Sequence, residues 1–235
     1  MQLNLIQTAV AGFRRYLQGA PDDRYLPLYE TQLNWQREWK ITAEEVGMNY
    51  DFALQNTQTR RYWKADNYAP KKMILLFAEA YPDLIREMFR DLFNEDRDVG
   101  GRIGRFLHHC DELLREYKAA NPRSVENNHF HDDNYRIISL YLACRYPAQY
   151  APLDFVAFTR TLEAVNTRNP PTLQDLDRIF KIHRALYKWI QKDEALMVAH
   201  RARLDPALHY TEDSLVLVLE FCRWVAGRPL LRGEI

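Results

Sequence analysis

Arg60, Arg61, Lys64, Lys71 and Lys72 crowd into a stretch whose only acid is Asp66, and Tyr62, Trp63 and Tyr68 lie among them. Cationic side chains hold phosphate oxygens and flat rings stack on unpaired bases, so this mixture suits contact with nucleic acid. The expected binding residues are Arg60, Arg61, Trp63, Lys64, Tyr68, Lys71 and Lys72. A structural account competes, in which the rings anchor a core and the charges solvate a loop and the start of a helix. Arg178, Lys181, Arg184, Lys188 and Lys192 form a second basic face at helical spacing. A solvated surface is its first meaning, with aliphatic stems lying over apolar neighbours.

Two further clusters carry ligand or nucleophile types. His129, His131, Asp132 and Asp133 could in principle hold zinc, and a metal-dependent hydrolase built on His129, His131 and Asp133 is the third-ranked function. The simpler account makes Asp132 or Asp133 a helix N-cap, so no metal is expected. In His108-His109-Cys110-Asp111, neighbours on a helix point about 100° apart, which lets at most one or two share an ion. Cys110 falls on an apolar helical face, where a thiolate is disfavoured. The Gly100-Gly101-Arg102-Ile103-Gly104 run lacks the Lys-Ser/Thr of a phosphate loop, and there is no Walker or nuclease motif. Neither catalytic residues nor a cofactor is expected, and the reading is non-enzymatic.

These residues need a scaffold, and the bulk numbers permit one. The chain has 235 residues, 47% hydrophobic and 13% aromatic, enough for a sizeable core. Lys plus Arg equals Asp plus Glu at 32 each, so any nucleic-acid contact must come from a local patch and not from overall charge. Cys110, Cys144 and Cys222 are odd in number and far apart, which fits reduced core thiols. The N-terminus has no signal-peptide pattern, and no run approaches the roughly 18 apolar residues of a membrane span. A cytoplasmic location without membrane contact is expected.

Periodicity predicts an all-α fold of about ten to eleven helices with no substantial sheet. Its densest apolar patterning, Pro70–Tyr117, is expected to organise the rest, with Pro70 and Pro82 each opening a helix. Tyr25–Tyr29 is expected to be extended, Thr42–Glu45 to be a capping box, and Phe52 and Leu54 to continue the apolar face beyond it. Pro152 and Thr172 are expected to open helices. The glycine cluster suggests a close helix crossing or a fragile first turn. Leu215–Val225 is apolar enough to be buried on most sides. The expected division is a main bundle over 1–165 and a C-terminal helical segment over 172–235 packed on it, with the linker signal at Asn166–Pro171.

From Gln32 to Tyr150 the order of motifs resembles the helical module at the N-termini of McrB-like AAA+ proteins of modification-dependent restriction systems. The resemblance rests on Trp35 and Trp39, Asn67-Tyr-Ala-Pro70, Met73-Ile74, Phe77-Ala78, Pro82 and Met88–Phe93. It continues through Asp98, Arg102-Ile103, Phe106, His129–Asn134, Ser139–Leu142, Arg145–Pro147 and Tyr150. It implies a recognition module for an antiphage defence system, binding nucleic acid, with modified DNA as one form, for a motor that is either a separate subunit or a domain beyond this sequence. The implied partners are DNA and an AAA+ motor or nuclease subunit. The alternative is a protein-interaction or oligomerisation module using Leu215–Val225 or the surface around Trp189.

Overall fold

The computed structural model describes residues 1–19, 21–56, 70–122 and 135–228. Eleven α-helices and no strands occur among these residues. They are α1 (Leu3–Gln18), α2 (Leu26–Glu38), α3 (Val46–Ala53), α4 (Pro70–Ala80), α5 (Pro82–Leu92), α6 (Val99–Ala120), α7 (Arg136–Arg145), α8 (Phe155–Ala164), α9 (Leu176–Gln191), α10 (Glu194–Ala202) and α11 (Val216–Ala226). Pro70 and Pro82 occupy first turns as expected, where a missing N–H costs no intrahelical bond.

One set of helices packs in sequence, α2 on α3, α3 on α4 and α5, and α5 on α6. A second set joins the ends of the chain: α1 lies against α9, α10 and α11, and α11 lies against α8. The two meet where α9 packs on α6, and a continuous apolar core runs through both. At the centre of the first set stands α7, which packs on α2 and is buried on every side from Ile137 to Cys144. The organising helix is therefore α7, with α4–α6 forming a wall beside it. The Tyr141 ring lies 5.4–6.2 Å from those of Trp35, Tyr50, Phe89 and Phe106, and its hydroxyl is 2.5 Å from that of Tyr50. Each buried hydroxyl thus partners the other, sparing both the cost of an unmade bond.

Several helix starts differ from the sequence expectation. Tyr25 closes a 3-10 turn and residues 26–29 already belong to α2, with Pro27 in its first turn. The Thr42–Glu45 capping box does not form: α3 starts at Val46, its N-cap is Glu45, and no side chain caps it. Phe52 is 52% exposed and does not continue the core face, whereas Leu54 is fully buried and does. Carboxylates start the later helices: Asp154, Asp175 and Asp193 accept from the N–H groups of Ala157, Arg178 and Leu196. An Asp oxygen reaches the third N–H along and places negative charge at the positive end of the helix dipole, which Pro152 and Thr172 cannot match from further upstream.

The glycines of α6 mark a cap and not a helix crossing. Asp98 accepts from the Gly101 N–H at 2.6 Å, and a Cβ on Gly101 would sit 2.8 Å from that carboxylate. Gly104 differs, since it is exposed and a Cβ there meets nothing within 4 Å. Gly104→Ala should stabilise the protein by about 1 kcal/mol through lost unfolded-state entropy. Urea unfolding checks this, and a loss of stability would show the site is not open.

Buried polar side chains tie the distant helices together. Glu220 in α11 is 1% exposed, accepts from the Tyr29 hydroxyl at 2.8 Å, and pairs with Arg203 at 2.9 Å. Ser214 donates to Gln32 at 2.7 Å, and Gln32 donates to the Ala143 carbonyl at 2.8 Å. His183 and His200 are buried against Phe158 and Tyr29, and neither Nδ1 atom has a hydrogen-bond partner among the described residues.

Candidate nucleic-acid interface

Of the expected binding residues, Arg60, Arg61, Trp63, Lys64 and Tyr68 lie outside the described residues, as do His129, His131, Asp132 and Asp133. Lys71 and Lys72 are in the first turn of α4. Lys71 Nζ sits 2.7 Å from Asp51 Oδ1 and donates to the Asp51 carbonyl at 3.3 Å, with its side chain only 17% exposed. It is a tether between α4 and the end of α3. Lys72 is exposed.

His108 and His109 on α6 each approach the Glu112 carboxylate, at 3.5 and 3.4 Å. Among the described residues no group of three His, Cys, Asp or Glu side chains is placed to hold a metal ion. Cys110, Cys144 and Cys222 are free and buried, and burial pushes all three thiols up, Cys222 to about 12. A neutral thiol in such surroundings is a packing group. Nor is Leu215–Val225 available as an outer surface. Its side chains from Leu215 to Cys222 are at most 5% exposed, because α11 packs on α1, α8 and α9. Among the described residues, no helix is long and apolar enough to cross a membrane.

The second basic face is more open. Arg178, Lys181 and Lys188 are exposed along α9, Arg184 is half-buried between them, and exposed Lys192 follows at the C-cap. Lys181 and Lys188 make no ion pair among the described residues, and from Arg178 to Lys192 the stripe runs about 21 Å at 1.5 Å per residue. Arg184 donates to the Gln149 carbonyl at 3.2 Å, which ties the stripe to the turn after α7. In that turn the Gln149 N–H donates back to the Tyr146 carbonyl at 2.9 Å.

Tyr146 opens onto a recess of about 240 Å³ lined by Trp39, Ile41, Arg90, Phe93, Arg145 and Tyr146. Each wall has a local cause. Trp39 leaves the end of α2 and stacks on buried Trp35 at 4.6 Å and 19°, and its loop is fixed where the Lys40 N–H donates to Asn49 Oδ1 at 2.8 Å. Phe93 ends α5, where its carbonyl accepts from the Tyr146 hydroxyl at 2.6 Å and its ring stands at 84° to the Tyr146 ring. Gln36 on α2 donates to the Arg145 carbonyl at 3.0 Å, holding the end of α7. The Arg145 guanidinium lies 5.3 Å from the Tyr146 ring centre, while Arg90 pairs with Glu87 one turn away.

Two other recesses are already occupied by their own charges. One, about 590 Å³ between α1 and the α9–α10 turn, is crossed by the Arg14–Asp193 pair at 3.1 Å, and Lys192 covers the Trp189 ring at 3.8 Å. In the polar recess beside α6, Arg102 is 2% exposed and is spent on the Leu92 carbonyl, Glu95 and the Tyr150 hydroxyl. Both sets of contacts staple helices together.

Sequence reasoning did not single out Trp39, Arg90 or Phe93 for binding. No family model, curated protein or solved structure matches the chain.

Proposed function

We propose that the chain is a non-enzymatic recognition module that binds nucleic acid, serving a separate motor subunit as in the McrB-like restriction systems it resembles. The observation that carries the reading is the exposed basic stripe of α9 leading, through the Arg184–Gln149 contact, to a ring-lined recess. Cations spaced along a helix match the repeating charge of a phosphate backbone, and most of the affinity of such contacts comes from released counterions. Lys181 and Lys188 are the first residues to test, because reversing them leaves the core untouched.

The Lys181→Glu, Lys188→Glu double variant should weaken binding to DNA oligonucleotides more than tenfold at low salt. It should also flatten the plot of log affinity against log salt by about 1.4–1.8, the share of two phosphate contacts. Titrations at two salt concentrations measure both. Unchanged affinity and slope would remove α9 as the contact surface.

A further inference from the structure

We propose that the recess between Trp39 and Tyr146 is a nucleotide subsite, taking an unpaired base among its rings and the attached phosphate on Arg145 and Arg90. As part of a strand, such a ligand deepens the nucleic-acid reading above and rests on it; as a free mononucleotide it does not.

The chemistry of the lining narrows the ligand by elimination. Among the described residues no carboxylate lines the recess and two guanidiniums do, so a cationic guest would be repelled by both, with the ring faces alone to attract it. A wholly apolar guest would bury the rings and leave the Arg145 guanidinium without a counter-charge, since Glu87 pairs only with Arg90. Arg145 is exposed and has no carboxylate partner among the described residues, so an incoming anion displaces nothing but water. The remaining class joins a flat ring to an anion, and a nucleotide is that combination.

The geometry suits the ring half of the ligand. Trp35 and Trp39 already form a two-ring stack, and Phe93 and Tyr146 stand edge to face, so the rings bordering the cavity lie in different planes. Ile41 supplies an aliphatic edge. A base within duplex DNA has both faces covered by its neighbours, whereas an unpaired one offers them to aromatic side chains. The hydrogen bonds from Tyr146 to Phe93 and from Gln36 to Arg145 fix the walls before binding, which lowers the ordering cost.

Intrinsic tryptophan fluorescence provides the test, with three probes: AMP, ribose 5-phosphate, and an eight-residue oligodeoxyadenylate. AMP and the oligonucleotide should both quench the wild-type protein, and ribose 5-phosphate should bind far more weakly. Arg145→Glu and Trp39→Leu should each weaken AMP and oligonucleotide binding about tenfold or more, the usual scale for a lost stacking or charge contact. Arg145 is exposed, so its variant should keep the wild-type melting temperature even if Trp39→Leu disturbs the stack on Trp35. The α9 double variant should bind AMP like the wild type. AMP binding with no oligonucleotide binding supports the subsite and removes the strand reading. Oligonucleotide binding that is unchanged by Arg145→Glu and Trp39→Leu overturns the subsite and leaves the α9 contact standing. Absence of binding by both AMP and the oligonucleotide overturns the subsite outright.

Discussion

Glu220→Ala should cost about 3–5 kcal/mol, a large part of the roughly 5–15 kcal/mol typical of a domain. The cost lies with the partner left behind. The Arg203 side chain is only 7% exposed, and its Nε and one terminal nitrogen already lack hydrogen-bond partners. Removing Glu220 leaves that guanidinium buried without a counter-charge, and an arginine cannot escape by losing its proton. Tyr29 loses its acceptor as well. The Arg203→Met, Glu220→Met double variant should lose much less, because neither charge then has to be desolvated. Urea unfolding of the single and double variants measures the coupling. A cost below about 1 kcal/mol for Glu220→Ala would show the pair to be solvated.

Acidification from pH 7 to pH 5 should remove a comparable amount. Burial, with smaller help from neighbouring arginines, lowers His183 and His200 to about 3. Unfolded histidine titrates near 6.5, so below that pH the unfolded chain binds protons that the folded chain refuses. Stability is therefore full above about pH 6.5 and is lost as pH falls towards 3. Linkage gives about 2 kcal/mol for each imidazole between pH 7 and 5, and about 4 kcal/mol for the two. Burial raises the Glu220 carboxyl, so it takes up a proton earlier in the folded state and acts in the opposite sense. Asp91 and Asp154 are lowered, the first chiefly by its bond to Arg105 and the second by its hydrogen bonds against burial, and their contribution is lost only in stronger acid. Denaturant unfolding at pH 7, 6 and 5 reads the histidine window, and His183→Gln should halve the slope. A flat profile would mean that the imidazoles gain protons without leaving the core.

What was legible in the sequence follows from how local each signal is. Pro70 and Pro82 open helices through their own backbone chemistry, and the all-α class followed from periodicity. The central role of α7 was hidden because a helix buried on all sides has no polar face, and so shows little amphipathic pattern. Carboxylate caps beat proline and threonine signals where both were in range, as Asp175 did over Thr172. The lone Glu220 inside Leu215–Val225 was a readable hint, since an acid in an apolar run needs a partner, but nothing local named Arg203 or Tyr29. The ring-lined recess was out of reach for a related reason. Trp39, Phe93 and Tyr146 come from three helix ends, and no spacing rule joins positions so far apart.

The packing of α1 on α10 and α11 sets a timetable for synthesis. Phe13 meets Phe221 at 5.5 Å, and Arg14 pairs with Asp193, so α1 finds these partners only after the roughly 180–210 residues between them have been made. At 5–20 residues per second that delay is on the order of 10–40 s. Throughout it the apolar stripe of Ile6, Val10, Phe13 and Leu17 has no permanent cover. Burial of that stripe, and with it the closing of this half of the core, has to wait until α10 and α11 emerge.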